Sequence, residues 1–179
     1  MARLIILDRD GVINQDSEAF IKSPEEWIPI AGSLEAIARF KQADYRVVVA
    51  TNQSGIGRGL FDLDTLHQIH AKMAQMLASA GANIDAIFFC PHAPEERCDC
   101  RKPKAGLFHD IATRFNLDLT GVAAVGDSLR DLQAARVVAA TPILVRTGKG
   151  QKTEARGQEL EGVAIFDNLA AVADSLLSH

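Results

Sequence analysis

Short apolar runs of strand length alternate with segments of helical periodicity, and this pattern limits most strongly the folds that the chain can adopt. We predict six strands, over 3–8, 45–50, 84–89, 121–125, 142–145 and 163–166. We predict five helices in the intervals, over 33–43, 62–80, 105–116, 129–138 and 168–177. Strands that are separated by helices pair in parallel, with helices packed on both faces of the sheet. The expected fold class is therefore α/β, a three-layer, doubly wound, mostly parallel sheet.

The chain is expected to form one domain. Its 179 residues lie within the size range of a single domain, and the sequence has no internal repeat and no linker rich in Pro, Gly or Ser. Hydrophobic residues make up 47% and charged residues 23% of the chain, a composition that argues against a disordered or fibrous protein. We therefore expect a single domain over residues 1–179.

The net charge and the lengths of the apolar runs exclude several classes of partner. The chain has 19 basic and 23 acidic residues, a net charge of −4, whereas a nonspecific nucleic-acid binder needs the opposite balance. The apolar runs are shorter than the roughly 20 residues of a membrane helix, and the first residues are too acidic for a signal peptide. Three cysteines, an odd number, favour a reducing compartment. We expect a cytoplasmic monomer that acts on a small molecule, without nucleic acid or membrane.

The first strand leads directly into two carboxylates, in Asp8-Arg9-Asp10-Gly11-Val12. On extended backbone, residues two apart point the same way, so Asp8 and Asp10 should face one site. Two carboxylates can hold a magnesium ion, although a simple turn after the strand would use the same residues. Two intervals, 11–30 and 91–104, do not fit the alternation of strands and helices. Ligands of open α/β sheets bind beyond the carboxyl ends of the strands, so function is expected in these loops.

Polar residues also follow the later strands. The second strand ends in Thr51-Asn52-Gln53-Ser54-Gly55, whose hydroxyl and backbone amides can bind phosphate oxygens. Arg101-Lys102-Pro103 comes after the third strand, and the fourth ends in Gly126-Asp127. Each motif alone is typical of a cap, a solvated surface or a turn. Together they predict a pocket in which carboxylates, a hydroxyl and a lysine converge.

These motifs resemble those of the haloacid dehalogenase superfamily of aspartate-nucleophile phosphatases. The four matching motifs are Asp8-x-Asp10, Thr51, Lys102 and Asp127. The resemblance implies that Asp8 attacks phosphorus, while Asp10 protonates the leaving oxygen and then deprotonates water. It implies that Thr51 and Lys102 bind the phosphoryl group. It also implies a catalytic Mg²⁺ held by the carboxylates of Asp8 and Asp127 and the backbone carbonyl of Asp10.

Longer stretches are similar to the sugar bisphosphate phosphatases of this superfamily, over 8–14, 51–56, 90–92, 98–103 and 146–149. The closely similar histidinol-phosphate phosphatases are the alternative. The implied substrate is a small-molecule sugar bisphosphate, and the Arg101 guanidinium is expected to bind its second phosphate bidentately. Further substrate contacts are expected from Asp16, Asn52, Gln53 and Ser54.

All three cysteines lie close together in Cys90-x-His92-x₅-Cys98-x-Cys100. Three thiolates and an imidazole can complete a closed tetrahedral shell, which is typical of a structural Zn²⁺ site. Reduced, solvent-shielded thiols are the alternative. The resemblance favours zinc, because the family holds zinc with such Cys-x-His and Cys-x-Cys pairs, though typically across a longer loop. A zinc ion here would position the lysine that follows.

Smaller features complete the expected site. The intervals after Asp10 and Thr51 are too short for the cap domain that many superfamily members carry, so an open site is expected. Ser128 stands where several relatives have a lysine, which removes a possible cationic contact. Asp131 is expected to orient the metal shell or cap a helix. The remaining histidines are expected on helix surfaces or at the terminus: His67, His70, His109 and His179.

Two functions of other classes compete with this interpretation. A phospho-accepting receiver domain uses a strand-end aspartate, magnesium, a threonine and a lysine on a similar sheet. Its acidic pair and its acceptor lie on different strands, whereas Asp8 and Asp10 are two residues apart. A zinc-loop module that binds nucleic acid conflicts with the net charge and leaves the strand-end aspartates without a role.

Overall fold

The computed structural model describes residues 3–178 and contains one six-stranded parallel sheet. The strands are β1 (Arg3–Leu7), β2 (Tyr45–Asn52), β3 (Ala86–Cys90), β4 (Ala123–Gly126), β5 (Thr141–Val145) and β6 (Ala164–Phe166). Their order across the sheet is β3-β2-β1-β4-β5-β6, and every neighbouring pair is parallel. The predicted doubly wound α/β fold is confirmed. The order places β1 between β2 and β4, so their carboxyl ends are neighbours.

Six α-helices connect these strands or follow the last of them. They are α1 (Ser33–Gln42), α2 (Leu63–Ser79), α3 (Gly106–Phe115), α4 (Leu129–Val137), α5 (Gly150–Arg156) and α6 (Leu169–Leu177). The five predicted helices are confirmed to within about two residues at each end. The sequence prediction missed α5, and it also missed the short 3₁₀ helices Pro24–Glu26 and Pro94–Glu96.

The core has two parts, one on each face of the sheet. Successive side chains of a strand point to opposite faces. Ile5 and Leu7 of β1 therefore pack with buried residues of α1, α2 and α6. Leu4 and Ile6 pack on the other face with residues of α3 and α4. Because both faces of β1 are covered, the residues that follow this strand have a fixed position.

The longest helix, α2, begins and ends where the sequence predicts. The Asp62 carboxylate accepts a hydrogen bond of 2.8 Å from the Thr65 backbone N–H and caps the first turn. The helix then buries Leu66, Ile69, Met73 and Leu77. Gly81, with a φ of +74°, lies just beyond its end, where a left-handed conformation favours glycine.

The segment between β1 and α1, residues 11–30, is the flap segment. It contains the short helix Pro24–Glu26 and isolated bridges that pair Asn14 with Asp10 and with Pro29, rather than a separate cap domain. The Lys72 ammonium of α2 donates to the carbonyls of Pro24 (2.6 Å) and Trp27 (2.8 Å), so the flap segment is attached to α2. No helix within residues 3–178 is long and apolar enough to cross a membrane.

Candidate active site

A pocket of about 210 Å³ lies at the carboxyl ends of β1, β2 and β4. Ten residues that the sequence singled out line it together: Asp8, Asp10, Asp16, Thr51, Asn52, Gln53, Ser54, Arg101, Lys102 and Asp127. They come from five separate parts of the chain. The parallel strand order brings them together, as the position of ligand sites in open α/β sheets predicts.

Asp8 directly follows β1 and is held from two sides. Its backbone N–H donates to the Val125 carbonyl (2.9 Å), which extends the pairing of β1 with β4. The Lys102 ammonium lies 3.2 Å from its carboxylate. Burial and then the negative charge of Asp131 raise the pKa of Asp8 to about 7, against the lowering effect of Lys102.

Lys102 is a fully enclosed cation with several partners. Its ammonium lies 2.7 Å from Asp131 Oδ1 and donates to the Ala50 carbonyl at 2.7 Å. The Asn52 side chain accepts from the Lys102 backbone N–H (3.0 Å) and donates to the Lys102 carbonyl (3.1 Å). Burial would lower the pKa of Lys102, but Asp131 and Asp8 outweigh it and raise the pKa. The lysine therefore stays charged, and the Asn52 amide is engaged in holding it.

The Asp10 carboxylate receives three hydrogen bonds. Arg9 Nε (2.8 Å) and Asn14 Nδ2 (2.9 Å) both donate to Oδ1, and Gln53 Nε2 (3.2 Å) donates to Oδ2. Gln53 Nε2 also lies 2.9 Å from Thr51 Oγ1, which connects two of the predicted catalytic side chains. Burial would raise the pKa of Asp10, but the Arg9 charge and these donors lower it below its usual value.

Asp131 orients other groups of the site, in line with expectation. Its Oδ2 accepts from the backbone N–H groups of Asp127 (3.2 Å) and Ser128 (3.1 Å) and from the Ser128 hydroxyl (2.9 Å). Its other oxygen contacts Lys102. Asp131 thus caps the start of α4 and connects the turn after β4 to the buried lysine. Ser128 serves as the N-cap residue of the same helix.

The carboxylates of the pocket fit a divalent cation. Oxygen atoms of Asp8, Asp127 and Asp131 all lie within 4.8 Å of one another. Burial, followed by the negative charges of Asp131 and Asp8, raises the pKa of Asp127. Lys102 is the cation in contact with this group of carboxylates, through Asp8 and Asp131. Carboxylate oxygens placed this close together suit a magnesium ion, which prefers oxygen ligands.

Two glycines hold the Asp127 carboxylate in place. Gly11 and Gly148 both have positive φ, and a Cβ atom on either would collide with Asp127 Oδ2. The same oxygen accepts a hydrogen bond of 2.8 Å from the Lys149 backbone N–H. Backbone on both sides therefore fixes this carboxylate, an approach that only glycine permits.

Three arginines line the mouth of the pocket: Arg58, Arg101 and Arg130. Burial and then the positive charge of Arg130, with a smaller effect of Arg58, lower the pKa of Arg101. Its Nη1 atom is buried without a hydrogen-bond partner in the described part of the chain. The sequence analysis identified Arg101 but missed Arg58 and Arg130. Arg58 lies in the loop that leaves β2, and Arg130 lies in the first turn of α4, just after β4. These positions next to strand ends were the available signal.

The second cluster lies beyond β3. Cys90 Sγ is 2.8 Å from Cys100 Sγ, 3.5 Å from Cys98 Sγ and 3.4 Å from His92 Nδ1. Burial would raise the pKa of Cys98, but the Arg101 backbone N–H and the other thiols lower it to about 6. All four donor atoms lie within 4.8 Å of one another, so the predicted residues could hold a zinc ion.

The histidines outside this cluster differ in their surroundings. His67 and His109 are exposed, as expected, and His179 lies outside the described residues. The expectation that His70 lies on a helix surface is wrong. Its ring is half-buried, and His70 Nε2 lies 3.1 Å from Arg9 Nη1. Its position on α2 next to Ile69 gave no sign of this contact, which depends on how the helix packs.

Asp16 and Lys149 form the boundary between the pocket and a neighbouring cavity of about 690 Å³. The Asp16 carboxylate lies 3.6 Å from the Lys149 ammonium. This pair joins the flap segment to the start of α5. The predicted substrate contact Asp16 thus lies in the pocket with a cationic neighbour that belongs to the 146–149 motif.

Comparisons with known proteins agree with this site. A HAD-hydrolase-like family model matches residues 99–172. The chain is 61% identical over 177 residues to D-glycero-β-D-manno-heptose-1,7-bisphosphate 7-phosphatase of Bordetella bronchiseptica, covering 99% of each chain. It is 54% identical to the enzyme of that name from Pseudomonas aeruginosa, covering 97% of each.

Solved structures show the same relation. The crystal structure of D,D-heptose 1,7-bisphosphate phosphatase from B. bronchiseptica, complexed with magnesium and phosphate, has a TM-score of 0.97 and 60% identity, covering 98% of each chain. The enzyme from Burkholderia thailandensis has a TM-score of 0.79 and 49% identity, covering 99% of each chain. These comparisons confirm the resemblance, and the chain belongs to the heptose 1,7-bisphosphate 7-phosphatase family of haloacid-dehalogenase-like hydrolases.

Proposed function

We propose that this phosphatase removes the 7-phosphate of D-glycero-β-D-manno-heptose 1,7-bisphosphate through an aspartyl-phosphate intermediate. The observation that carries the proposal is the group formed by Asp8, Asp10 and Lys102 in one pocket, in a chain 61% identical to an enzyme of that name. The β-anomer is taken from the names of the relatives. The resemblance further implies a place in the synthesis of nucleotide-activated heptose, a lipopolysaccharide precursor.

In the first step, an Asp8 carboxylate oxygen forms a bond to phosphorus while the bond from phosphorus to the sugar oxygen breaks. Asp10 gives a proton to the departing oxygen, so the sugar leaves as a neutral alcohol. Arg9 and Asn14 both donate to Asp10 Oδ1, whereas Oδ2 accepts one longer hydrogen bond, from Gln53, so Oδ2 is the oxygen proposed to carry the transferred proton.

In the second step, water attacks the phosphorus of the aspartyl phosphate. Asp10, now ionised, takes a proton from that water, and the bond between phosphorus and the Asp8 oxygen breaks. Inorganic phosphate is released and the Asp8 carboxylate is restored. One carboxylate thus serves as acid and then as base, which requires that it stay within reach of both oxygens.

Lys102 and Thr51 are proposed to bind the transferring phosphoryl group. The Lys102 ammonium already lies 3.2 Å from Asp8, and the Thr51 hydroxyl is connected to Asp10 through Gln53. Positive charge and a hydroxyl donor at these places stabilise the negative oxygens of the transition state.

The carboxylates of Asp8 and Asp127 and the backbone carbonyl of Asp10 are proposed to hold the magnesium ion. When bound, magnesium offsets negative charge, so that an anionic carboxylate and an anionic phosphate can approach each other. The convergence of carboxylate oxygens of Asp8, Asp127 and Asp131 within 4.8 Å of one another supports this assignment. Asp131 is proposed to act through Lys102 and Asp127, because both of its oxygens have contacts.

The three arginines at the mouth of the pocket support a bisphosphate substrate. Guanidinium groups of Arg58, Arg101 and Arg130 lie close enough for their charges to lower the pKa of Arg101. Like charges placed together are stabilised by an anion between them. A second phosphate, away from the scissile one, meets this requirement, whereas histidinol phosphate carries no second phosphate to place there.

The proposal is tested by the specificity of Arg101→Ala. We expect kcat/KM for the heptose bisphosphate to fall by about 100-fold, because a charge-assisted pair contributes about 1.5–3 kcal/mol. Hydrolysis of a simple monophosphate ester should fall less than about three-fold. The matched control is Arg114→Ala, which removes an exposed arginine of α3 and should leave both rates unchanged.

Two outcomes would contradict the proposal. Equal losses on both substrates would place Arg101 at the transferring phosphoryl group and remove the support for a bisphosphate. A higher kcat/KM of the wild-type protein for histidinol phosphate than for either heptose anomer would instead identify the histidinol-phosphate phosphatases as its functional relatives.

We further propose that residues 1–179 act as one domain, as a cytoplasmic monomer. The single sheet and its two packed faces support one domain. All three cysteines have free thiols and converge on one cluster, which supports a reducing compartment.

A further inference from the structure

Two successive hydrogen bonds, through Arg9, connect His70 of α2 to Asp10, the proposed acid of the active site. His70 Nε2 lies 3.1 Å from Arg9 Nη1, and Arg9 Nε donates to Asp10 Oδ1 at 2.8 Å. The Arg9 side chain has no solvent exposure, although it lies between the two strand-end aspartates in the sequence. No sequence motif predicted this connection. The sequence analysis placed His70 on a helix surface, as it did His67, one turn earlier on α2.

The contact fixes the state of the histidine ring. An arginine is always protonated and can only donate, so His70 Nε2 must accept and its proton must be on Nδ1. Burial and then the Arg9 charge lower the pKa of His70 to about 3, so the ring stays neutral through the physiological range. His70 therefore acts here as a fixed hydrogen-bond acceptor.

The guanidinium of Arg9 has few other hydrogen-bond acceptors. Its Nη2 atom is buried and has no hydrogen-bond partner within residues 3–178. Without the His70 ring, both terminal nitrogens of a buried cation would lack acceptors, which costs free energy. The side chain would then turn toward any remaining acceptor, and Nε would leave Asp10.

We propose that His70 is a positioning residue which, through Arg9, holds Asp10 Oδ1, so that Oδ2, which accepts only from Gln53, carries the proton. This inference rests on the proposed role of Asp10. His70 is not among the described residues that line the pocket. Its effect should therefore appear where the transferred proton matters and be small where it does not.

The test compares leaving groups. A sugar alkoxide is a poor leaving group and needs the proton, whereas p-nitrophenolate leaves readily without it. In His70→Leu we expect kcat/KM for the sugar phosphate to fall by about ten-fold, a part of what general acid catalysis supplies, and kcat/KM for p-nitrophenyl phosphate to fall by less than about three-fold. In His70→Gln, whose side-chain oxygen can accept from Arg9, the rate on the sugar phosphate should return to within about three-fold of wild type.

Two further variants complete the experiment. His67→Leu is the matched control, an exposed histidine of the same helix, and should behave as wild type on both substrates. Arg9→Lys keeps the positive charge but lacks the forked guanidinium that reaches both His70 and Asp10. It should therefore show the same selective loss of kcat/KM on the sugar phosphate. This variant replaces His70→Leu in the test if His70→Leu does not fold.

Equal losses on the two substrates in His70→Leu and Arg9→Lys, or no loss in either, would overturn the positioning role. The proposed substrate is tested separately by the wild-type activity on heptose bisphosphate. The leaving-group comparison holds for any alkyl phosphate that the enzyme accepts, so the two failures can be told apart.

Discussion

Asp8 and Asp10 lie two residues apart, yet their surroundings shift their proton affinities in opposite directions. Burial and Asp131 raise the pKa of Asp8 to about 7, while the Arg9 charge and three donors lower that of Asp10 despite its burial. The proposed nucleophile must be ionised and the proposed acid protonated, which is the reverse. A divalent cation near Asp8 and an arriving phosphate dianion near Asp10 would each correct the shift beside it. In the chain without ligands, both pKa values are therefore shifted away from what the reaction requires, and the bound ligands would reverse these shifts.

At this scale we predict that Asp8→Asn abolishes turnover, by more than about a thousand-fold, because an amide is a poor nucleophile and a poor magnesium ligand. Asp10→Asn should lower kcat by about 10²–10⁴-fold, the usual contribution of general acid–base catalysis. Rapid quenching with a ³²P-labelled substrate should show labelled protein in wild type and none in Asp8→Asn. Near wild-type hydrolysis by Asp8→Asn would exclude the covalent mechanism.

At the scale of elements, the loop from β3 to α3 joins two sites. Cys90 ends β3, and the loop carries the other three residues of the cysteine cluster, His92, Cys98 and Cys100, before it continues directly into Arg101 and Lys102. The Arg101 backbone N–H lies 3.4 Å from Cys98 Sγ, so the proposed zinc ligands and the phosphate-binding residues share one stretch of backbone. An ion in the cluster would determine where the cations of the active site stand.

We predict about one zinc ion per chain in protein purified without chelator. Cys98→Ser should lose the metal, lower Tm and reduce kcat/KM, because the ligand shell is no longer complete and Lys102 is less well held. Glu95→Gln, an exposed change in the same loop, is the control and should keep its zinc. Metal analysis that finds no zinc in the wild-type protein would contradict the prediction.

Elements with an apolar pattern were predictable, and elements without one were not. Helix α2 was predicted because Leu66, Ile69, Met73 and Leu77 repeat at helical spacing between a cap and a glycine. Helix α5 was missed because it buries only Gly150 and Thr153 and has no apolar stripe. The strand-end motifs predicted which residues form the pocket, because parallel topology alone brings strand ends together. The contact of His70 with Arg9 depends on how α2 packs, which no motif encodes.

At the scale of the whole molecule, the converging carboxylates of Asp8, Asp127 and Asp131 should make stability depend on magnesium. Ligand that binds only the folded chain stabilises it by RT ln(1 + [L]/Kd), about 2.7 kcal/mol at a hundred times Kd. We therefore expect Mg²⁺, added to zinc-loaded protein, to raise Tm by several degrees. In Asp127→Asn the rise should disappear, and the Tm without magnesium should equal or exceed that of wild type because charge repulsion is relieved. An equal rise in the variant would place the stabilising ion elsewhere.

The central position of β1 has a consequence for how the enzyme comes into being. Ile5 of β1 pairs with Ala123 of β4, so one neighbour of the nucleophile strand is made more than a hundred residues after it. At a synthesis rate of about 5–20 residues per second, β1 waits on the ribosome for roughly 6–24 s before that neighbour exists. A growing chain can pair β1 with β2, but until β4 emerges the aspartate that follows β1 has neither Asp127 nor the Val125 carbonyl beside it. Phosphatase activity should therefore appear late in translation, in a single step once β4 has emerged. Chains that stop before β4 should be partly folded and have no phosphatase activity.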